Sequence, residues 1–185
     1  GYIFKEFFDR TLDTQNYESR SDNRFVNTNK RENYLFNSTI NGIEESDFIF
    51  LIGTNPRYEA TILNARIRKS FLNNNTRIIS LNELGDLTYP YKSLDGQTQT
   101  LKEIFDGSHE ISKFIINADK PMIVLGESFL NLNSSKYFFK KIKKFLLEYN
   151  KINNDWNSLN TLSCDAATVG NYDLGVINRK KSLLQ

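Results

Sequence analysis

The sequence predicts an α/β fold, a mostly parallel sheet covered by helices, that forms one partial domain over residues 1–185. The first observation is a continuous apolar run at 48–52, with two further short segments rich in apolar residues at 77–81 and 121–126. Such runs are typical of strands buried on both faces, as in parallel sheets. The second observation is that segments with helical spacing of apolar residues alternate with these runs, which favours layers of helices on a sheet.

Composition excludes several classes of protein. The chain has 185 residues, 39% of them hydrophobic and 13% aromatic, which is too apolar for a disordered chain. Its 24 basic and 22 acidic residues give a formal charge of +2, so no strong field attracts nucleic acid. No apolar run reaches the roughly 18 residues that a membrane-spanning helix needs, so we expect no direct membrane insertion.

Metal centres built from thiolates or imidazoles are excluded as well. Cys164 is the only cysteine and His109 the only histidine, so the chain lacks the ligands for a four-thiolate cluster or a His-rich site. His109 follows Ser108, and we expect this pair to cap the next helix through the Ser108 side chain. Cys164 is expected to be a small buried residue. Neither residue is assigned a catalytic role.

The first 47 residues predict little regular structure. Apolar residues at positions 3, 4, 7 and 8 predict a short helix over 2–10. Residues 16–37 are polar and are expected to form a long loop, or at most a short edge strand, that lies against another surface. The spacing in 41–44 fits a short helical turn.

A strand–helix–strand unit follows. The run 48–52 is bounded by Asp47 and Gly53 and is the clearest strand of the chain. After a turn at 53–56, apolar residues at positions 63, 67 and 71 predict a helix over 58–71. Residues 77–81 are predicted to be the second strand.

The second half repeats the pattern. Helices are predicted over 98–105 and 108–117, separated by Gly107, which is typical of a helix end. The strand 121–126 and a long helix over 134–149 follow. A weaker final helix is predicted over 157–167.

The turn after the first strand is the candidate binding site. Loops between a strand and a helix bind phosphates in α/β folds, and Gly53, Asn55 and Arg57 are therefore weak candidates for a vestigial nucleotide loop. The glycine series of dinucleotide-binding loops is missing, and Pro56 removes an amide donor. Arg57 opposes the helix dipole unless an acid lies nearby, and Glu59 could be that acid. The alternative is a purely structural turn.

The helix around residues 136–147 is basic and amphipathic. One interpretation is a helix that binds a membrane surface or a groove in a partner. The other, which we favour, is that its apolar residues pack on the sheet while the lysines remain solvated. These apolar residues are Phe138, Ile142, Phe145 and Leu146.

Residues 51–60, with the sequence LIGTNPRYEA, resemble a segment of the 75 kDa iron–sulfur subunit family of mitochondrial respiratory complex I, in its molybdopterin-oxidoreductase-like region. The resemblance continues on both sides in the family's order. It includes residues 34–45, 63–70, 86–89, 107–109, 120–126, 155–156 and 173–175. It therefore covers nearly the whole chain.

The resemblance implies part of a molybdopterin-oxidoreductase-like domain with no catalytic residue, no cofactor, no metal and no redox centre in this chain. The family's iron–sulfur clusters lie in a cysteine-rich N-terminal part that is absent here. The implied role is structural, in the peripheral arm of proton-pumping NADH:ubiquinone oxidoreductase, on the matrix side of the mitochondrial inner membrane. The implied partners are other complex I subunits, especially the cluster-bearing part of the same subunit.

Two alternatives remain open at this point. One is a stand-alone nucleotide-binding domain that uses the turn from Gly53 to Arg57. The other is an independent fragment of a molybdopterin oxidoreductase.

Overall fold

The computed structural model describes residues 1–20 and 24–177, and at its centre lies a five-stranded sheet in the spatial order β3-β2-β1-β4-β5. Every described strand pair is parallel. The strands are β1 (Phe48–Ile52), β2 (Arg77–Ser80), β3 (Lys92–Ser93), β4 (Pro121–Leu125) and β5 (Leu159–Thr161). The predicted α/β class is confirmed.

Helices cover both faces of the sheet. The helices of the described ranges are α1 (Tyr2–Arg10), α2 (Thr39–Gly42), α3 (Pro56–Glu59), α4 (Thr61–Asn74), α5 (Thr98–Asp106), α6 (Glu110–Asn117), α7 (Glu127–Leu130), α8 (Ser135–Glu148) and α9 (Thr168–Asp173), with 3-10 turns at Arg31–Asn33 and Ile43–Glu45. Helix α4 packs on one face, and α5 to α8 pack on the other. In the described ranges, no helix has the length and apolar character needed to cross a bilayer.

Strand β1 is the centre of the core. Phe48, Phe50 and Ile52 belong to the apolar cluster beneath α5 to α8, whereas Ile49 and Leu51 belong to the cluster beneath α4. All five side chains are at most 2% exposed. The continuous apolar run is therefore required because the strand has helices on both of its faces.

The prediction of a helix over 157–167 is wrong, since this segment contains strand β5. Leu159 to Thr161 pair with Ile123 to Leu125 of β4, and the amide of Ile123 donates to the Ser158 carbonyl at 2.8 Å. The strand has only three residues, so it leaves no alternating pattern in the sequence. Pairing with β4 determines its conformation, rather than local propensity.

The long loop over 16–37 lies against the chain's own surface, along β5 and the end of α7; its residues 21–23 lie outside the described residues. The amide of Phe25 donates to the Leu130 carbonyl at 2.9 Å, and Phe36 forms an isolated antiparallel bridge with Asn160. The Asn37 side chain donates to the Leu159 carbonyl at 2.5 Å. The loop thereby covers the outer edge of the sheet.

The predicted cap of the helix after Gly107 is displaced by one residue. His109, not Ser108, is the N-cap of α6, and its Nδ1 accepts the amide of Ile111 at 3.2 Å. The Ser108 hydroxyl instead donates to the Glu103 carbonyl at 3.1 Å. Gly107 ends α5 with φ +84°, as its position in the sequence predicts.

Candidate functional site at the carboxyl edge of the sheet

The sheet has a topological switch point between β1 and β4. The connection that leaves β1 runs through α4 on one face, and the connection that leaves β4 runs through α7 and α8 on the other. In open α/β sheets of this kind, ligands bind in the crevice outside the carboxyl ends of these two strands. Here these ends lead into the loops that begin at Gly53 and Gly126, and the space between the two loops is the switch-point crevice.

Direct packing of the two loops closes the switch-point crevice. The Gly126 amide donates to the Ile52 carbonyl at 2.9 Å, and the Ser128 amide donates to the Gly53 carbonyl at 3.2 Å. A methyl group on Gly53 would lie 2.7 Å from Cβ of Phe129, and one on Gly126 would lie 2.8 Å from Cα of Thr54. The backbones of the two loops are therefore in direct contact where they leave the sheet, with no room for a side chain at either glycine.

The polar groups of the candidate loop are used within the protein. Asn55 is the N-cap of α3, and its Oδ1 accepts the Arg57 amide at 3.2 Å. The Asn55 amide and the Thr54 hydroxyl both donate to the carboxylate of Glu59, at 3.0 and 2.6 Å. The Asn55 side-chain amide donates to the Leu84 carbonyl at 3.0 Å. These donors are therefore not directed toward a bound phosphate.

The expectation that Glu59 neutralises Arg57 is wrong. The Arg57 guanidinium instead lies 2.6 Å from the carboxylate of Asp86, in the loop that follows β2. A hydrogen bond from Arg57, together with one from the Thr88 amide, holds the pKa of Asp86 below its usual value. Arg57 therefore ties two loops at this edge together, because Glu59 is occupied by Thr54 and Asn55.

Carboxylates cluster beside the switch-point crevice. The Arg24 guanidinium, which is 5% exposed, lies 2.5 Å from the Glu127 carboxylate and 2.7 Å from that of Asp165. Glu59 adds a third acid, 3.8 Å from the sulfur of Cys164. An anionic phosphate would meet an acidic environment here, which favours a structural role for this edge.

The expectation that Cys164 is buried is also wrong. The residue is exposed, and its amide donates to Glu127 at 3.0 Å. Partial burial of the thiol and the carboxylates of Glu127 and Glu59 raise the pKa of Cys164 to about 11. The group is therefore a neutral thiol at physiological pH and a poor nucleophile.

Sequence reasoning identified one side of this edge and missed the other. It selected Gly53, Asn55 and Arg57, which the structure places together, but not Gly126 or the Arg24 ion pairs. The position of Gly126, as the last residue of the third predicted strand, was an available signal for a second loop at this edge. The Arg24–Asp165 pair joins residues far apart in the chain and leaves no local pattern. His109 is bonded as a helix cap and takes no part in the site.

The residues that the structure describes contain no group of three or more His, Cys, Asp or Glu side chains placed to hold a metal ion. Comparison with known proteins gives one family: the model of the molybdopterin oxidoreductase family matches residues 1–185.

Three similar proteins are subunits of NADH-ubiquinone oxidoreductase. The chain is 36% identical over 167 residues to the NADH-ubiquinone oxidoreductase 75 kDa subunit of Reclinomonas americana, covering 90% of this chain and 24% of that protein. It is 37% identical over 146 residues to the mitochondrial 78 kDa subunit of Candida albicans, covering 78% and 20%. It is 34% identical over 151 residues to NADH dehydrogenase [ubiquinone] iron-sulfur protein 1 of Solanum tuberosum, covering 82% and 20%. The chain spans about a quarter or less of the length of these relatives.

Proposed function

Since this chain belongs to the molybdopterin oxidoreductase family, and its relatives are subunits of NADH-ubiquinone oxidoreductase, we propose that it is a structural part of that proton-pumping enzyme. Its place is the peripheral arm, on the matrix side of the mitochondrial inner membrane. Residues 1–185 act there as a partial domain that the rest of the subunit completes. The chain itself carries no redox centre and no active site.

The observation that carries this proposal is the closed switch-point crevice. A molybdopterin group bound at the carboxyl edge would need open space and hydrogen-bond donors that point outward. Phe129 and Thr54 pack directly against the two glycines, and the amides of Gly126 and Ser128 are bonded to protein carbonyls rather than directed outward. The residues present therefore do not fit the group, and no chemical step is assigned to it.

Exposed apolar side chains support a role within a larger assembly. Tyr58, Ile62 and Leu72, on α3 and α4, are 81%, 74% and 65% exposed, respectively. Large exposed apolar surfaces of this kind often mark an interaction site when they are contiguous, and α3 and α4 follow each other in the chain. We assign this surface to the remainder of the subunit, whose cluster-bearing part is the proposed neighbour.

Native electrophoresis of detergent-solubilised mitochondrial membranes tests this function directly. The gel is stained for NADH dehydrogenase activity, and the bands are analysed by mass spectrometry. We expect the chain in the large NADH-oxidising band, together with cluster-bearing peptides of the same subunit. A chain that migrates only as a small free protein would contradict the proposal.

The second candidate function is nucleotide binding by the turn from Gly53 to Arg57. The Arg57–Asp86 pair weighs against it, because the guanidinium already has an anionic partner. Equilibrium dialysis of the purified chain against NADH separates the two functions. We expect no binding; stoichiometric binding that is lost in Arg57→Ala would favour the second candidate.

A further inference from the structure

A row of lysines runs along the outer side of helix α8. Lys136, Lys140 and Lys144 follow one another at every fourth residue, so they lie on the same side of the helix. Within the described part of the chain, none of the three forms an ion pair. The neighbouring lysines differ: Lys141 lies 2.5 Å from Asp106, and Lys143 lies 2.7 Å from Glu32.

The row does not serve the stability of α8 itself. Like charges four residues apart destabilise a helix, and this row contains two such pairs. Lys136 also lies in the first turn, where the helix dipole disfavours a cation, and that turn contains no acidic residue. An external set of negative charges would relieve both effects.

The surface around the row is shaped to receive a partner. Concavities of about 430 and 590 Å³ lie on either side of Lys140 and Lys144, which line both of them. The first concavity is also lined by the aromatic rings of Tyr137 and Tyr149 and by the carboxylates of Asp106 and Glu148, and the second by Leu147 and Glu148. Asp106 is paired with Lys141, whereas Glu148 lies at the end of the row, where a carboxylate of a partner would be disfavoured. A helix laid along the row could therefore place side chains in both concavities.

The apolar side of α8 is not available to a membrane. Phe138, Ile142 and Leu146 are at most 5% exposed and pack in the core beneath α8. A helix that lies in a lipid surface needs that side free for the acyl chains. The charge and shape of the outer side therefore favour a protein partner over a lipid surface.

We propose that the Lys136–Lys140–Lys144 row binds an acidic helix of a partner protein, whose carboxylates repeat at every fourth residue. The interaction is electrostatic and specific for spacing, since the three ammonium groups are held in register by α8. The proposal uses a surface separate from the switch-point crevice and does not depend on the assembly in which the chain functions.

The test uses the full chain and two synthetic helical peptides of identical composition. One peptide carries three glutamates at every fourth position, and the other carries them on three different sides of the helix. Fluorescence anisotropy at physiological salt is expected to show roughly fivefold to tenfold tighter binding of the aligned peptide, as two or three exposed ion pairs would give. The double variant Lys140→Gln/Lys144→Gln is expected to lose this preference.

A matched control removes two charges elsewhere. Arg68 and Lys113 are exposed on α4 and α6, and Arg68→Gln/Lys113→Gln should retain the preference for the aligned peptide. Equal binding of the two peptides by the unmodified chain would overturn the proposal. The proposal would also be overturned if the unmodified chain bound vesicles of equal parts phosphatidylcholine and phosphatidylserine more tightly than the aligned peptide, and Lys140→Gln/Lys144→Gln lost this vesicle binding.

Discussion

At the scale of single residues, the two glycines of the closed crevice are required for different reasons. Gly53 has φ +64°, a conformation that L side chains rarely adopt, and it also lacks space for a side chain. Gly126 has φ −95°, which any residue adopts, so space alone requires a glycine there. The second position therefore isolates the steric effect from backbone strain.

Substitution of Gly126 should test the packing of the two loops. We expect Gly126→Ala to lower the free energy of unfolding by about 2 kcal/mol or more, because the added methyl group meets backbone atoms of Gly53 and Thr54. Urea denaturation measures the change. Gly170 is the control, since it lies in α9 with open space around it, and Gly170→Ala should be neutral or slightly stabilising. Equal effects at the two positions would contradict the packing described here.

The Arg57–Asp86 pair predicts a specific dependence of stability on pH. Because the Arg57 hydrogen bond lowers the folded-state pKa of Asp86 from its usual 3.8, the ionised carboxylate stabilises the fold above that pH. This contribution is lost as the pH falls through the lowered folded-state pKa. Asp86→Asn should therefore be less stable than the unmodified chain at neutral pH, and the difference should shrink in acid.

Thermal unfolding of both proteins at a series of pH values measures this difference. Asp119→Asn is the control, since Asp119 is exposed and should give a curve parallel to that of the unmodified chain. If the curve of Asp86→Asn were equally parallel, the pair would have no part in stability.

At the scale of elements, sequence reasoning was reliable where burial is two-sided and weak where a strand depends on its neighbours. The segments that form β1, β2 and β4 were found because helices on both faces require mostly apolar residues in them. Strand β3, the exposed pair Lys92–Ser93, was missed, and β5 was mistaken for a helix. At the site, the turn at Gly53 was found from the sequence. The ion pair between Arg57 of this turn and Asp86 was not found, because it depends on the order of the strands in the sheet, which no local pattern shows.

Asn160 of strand β5 holds Ser38, the residue that directly follows the long loop. The Asn160 side chain is fully buried; it accepts the Ser38 amide at 2.8 Å and donates to the Ser38 hydroxyl at 2.9 Å. We expect Asn160→Ala to destabilise the chain by about 1–3 kcal/mol, because the buried Ser38 amide would lose its partner. Hydrogen exchange of residues 35–38 should accelerate in the same variant.

Asn131→Ala is the matched control for that substitution, since Asn131 is exposed. It should change neither stability nor exchange. Unchanged exchange at 35–38 in Asn160→Ala would show that the loop is held by other contacts.

At the scale of the whole molecule, α4 has apolar residues on both sides. Leu63 and Ile67 pack on the sheet, while Ile62 and Leu72 are exposed on the outer side. The inner residues account for the stability of the domain, so the outer ones are available for assembly.

This division predicts a variant that folds but assembles poorly. Ile62→Glu should change the free energy of unfolding by no more than about 0.5 kcal/mol, because the side chain is 74% exposed. The share of the chain in the NADH-oxidising band should fall, since the proposed neighbour would have to bury a charge. Thr61→Glu, at an exposed position next to it, should assemble normally. Normal assembly of Ile62→Glu would exclude this side of α4 from the interface.

The central position of β1 has a consequence for the synthesis of the chain. Both neighbours of β1 follow it in the sequence, and Pro121, which pairs with Phe48, comes about 70 residues later. At about 5–20 residues per second, a ribosome needs roughly 4–15 s to make that interval. During this time one edge of an entirely apolar strand has no partner, and such edges promote aggregation of nascent chains. Newly made chains should therefore depend on chaperones until β4 has been translated.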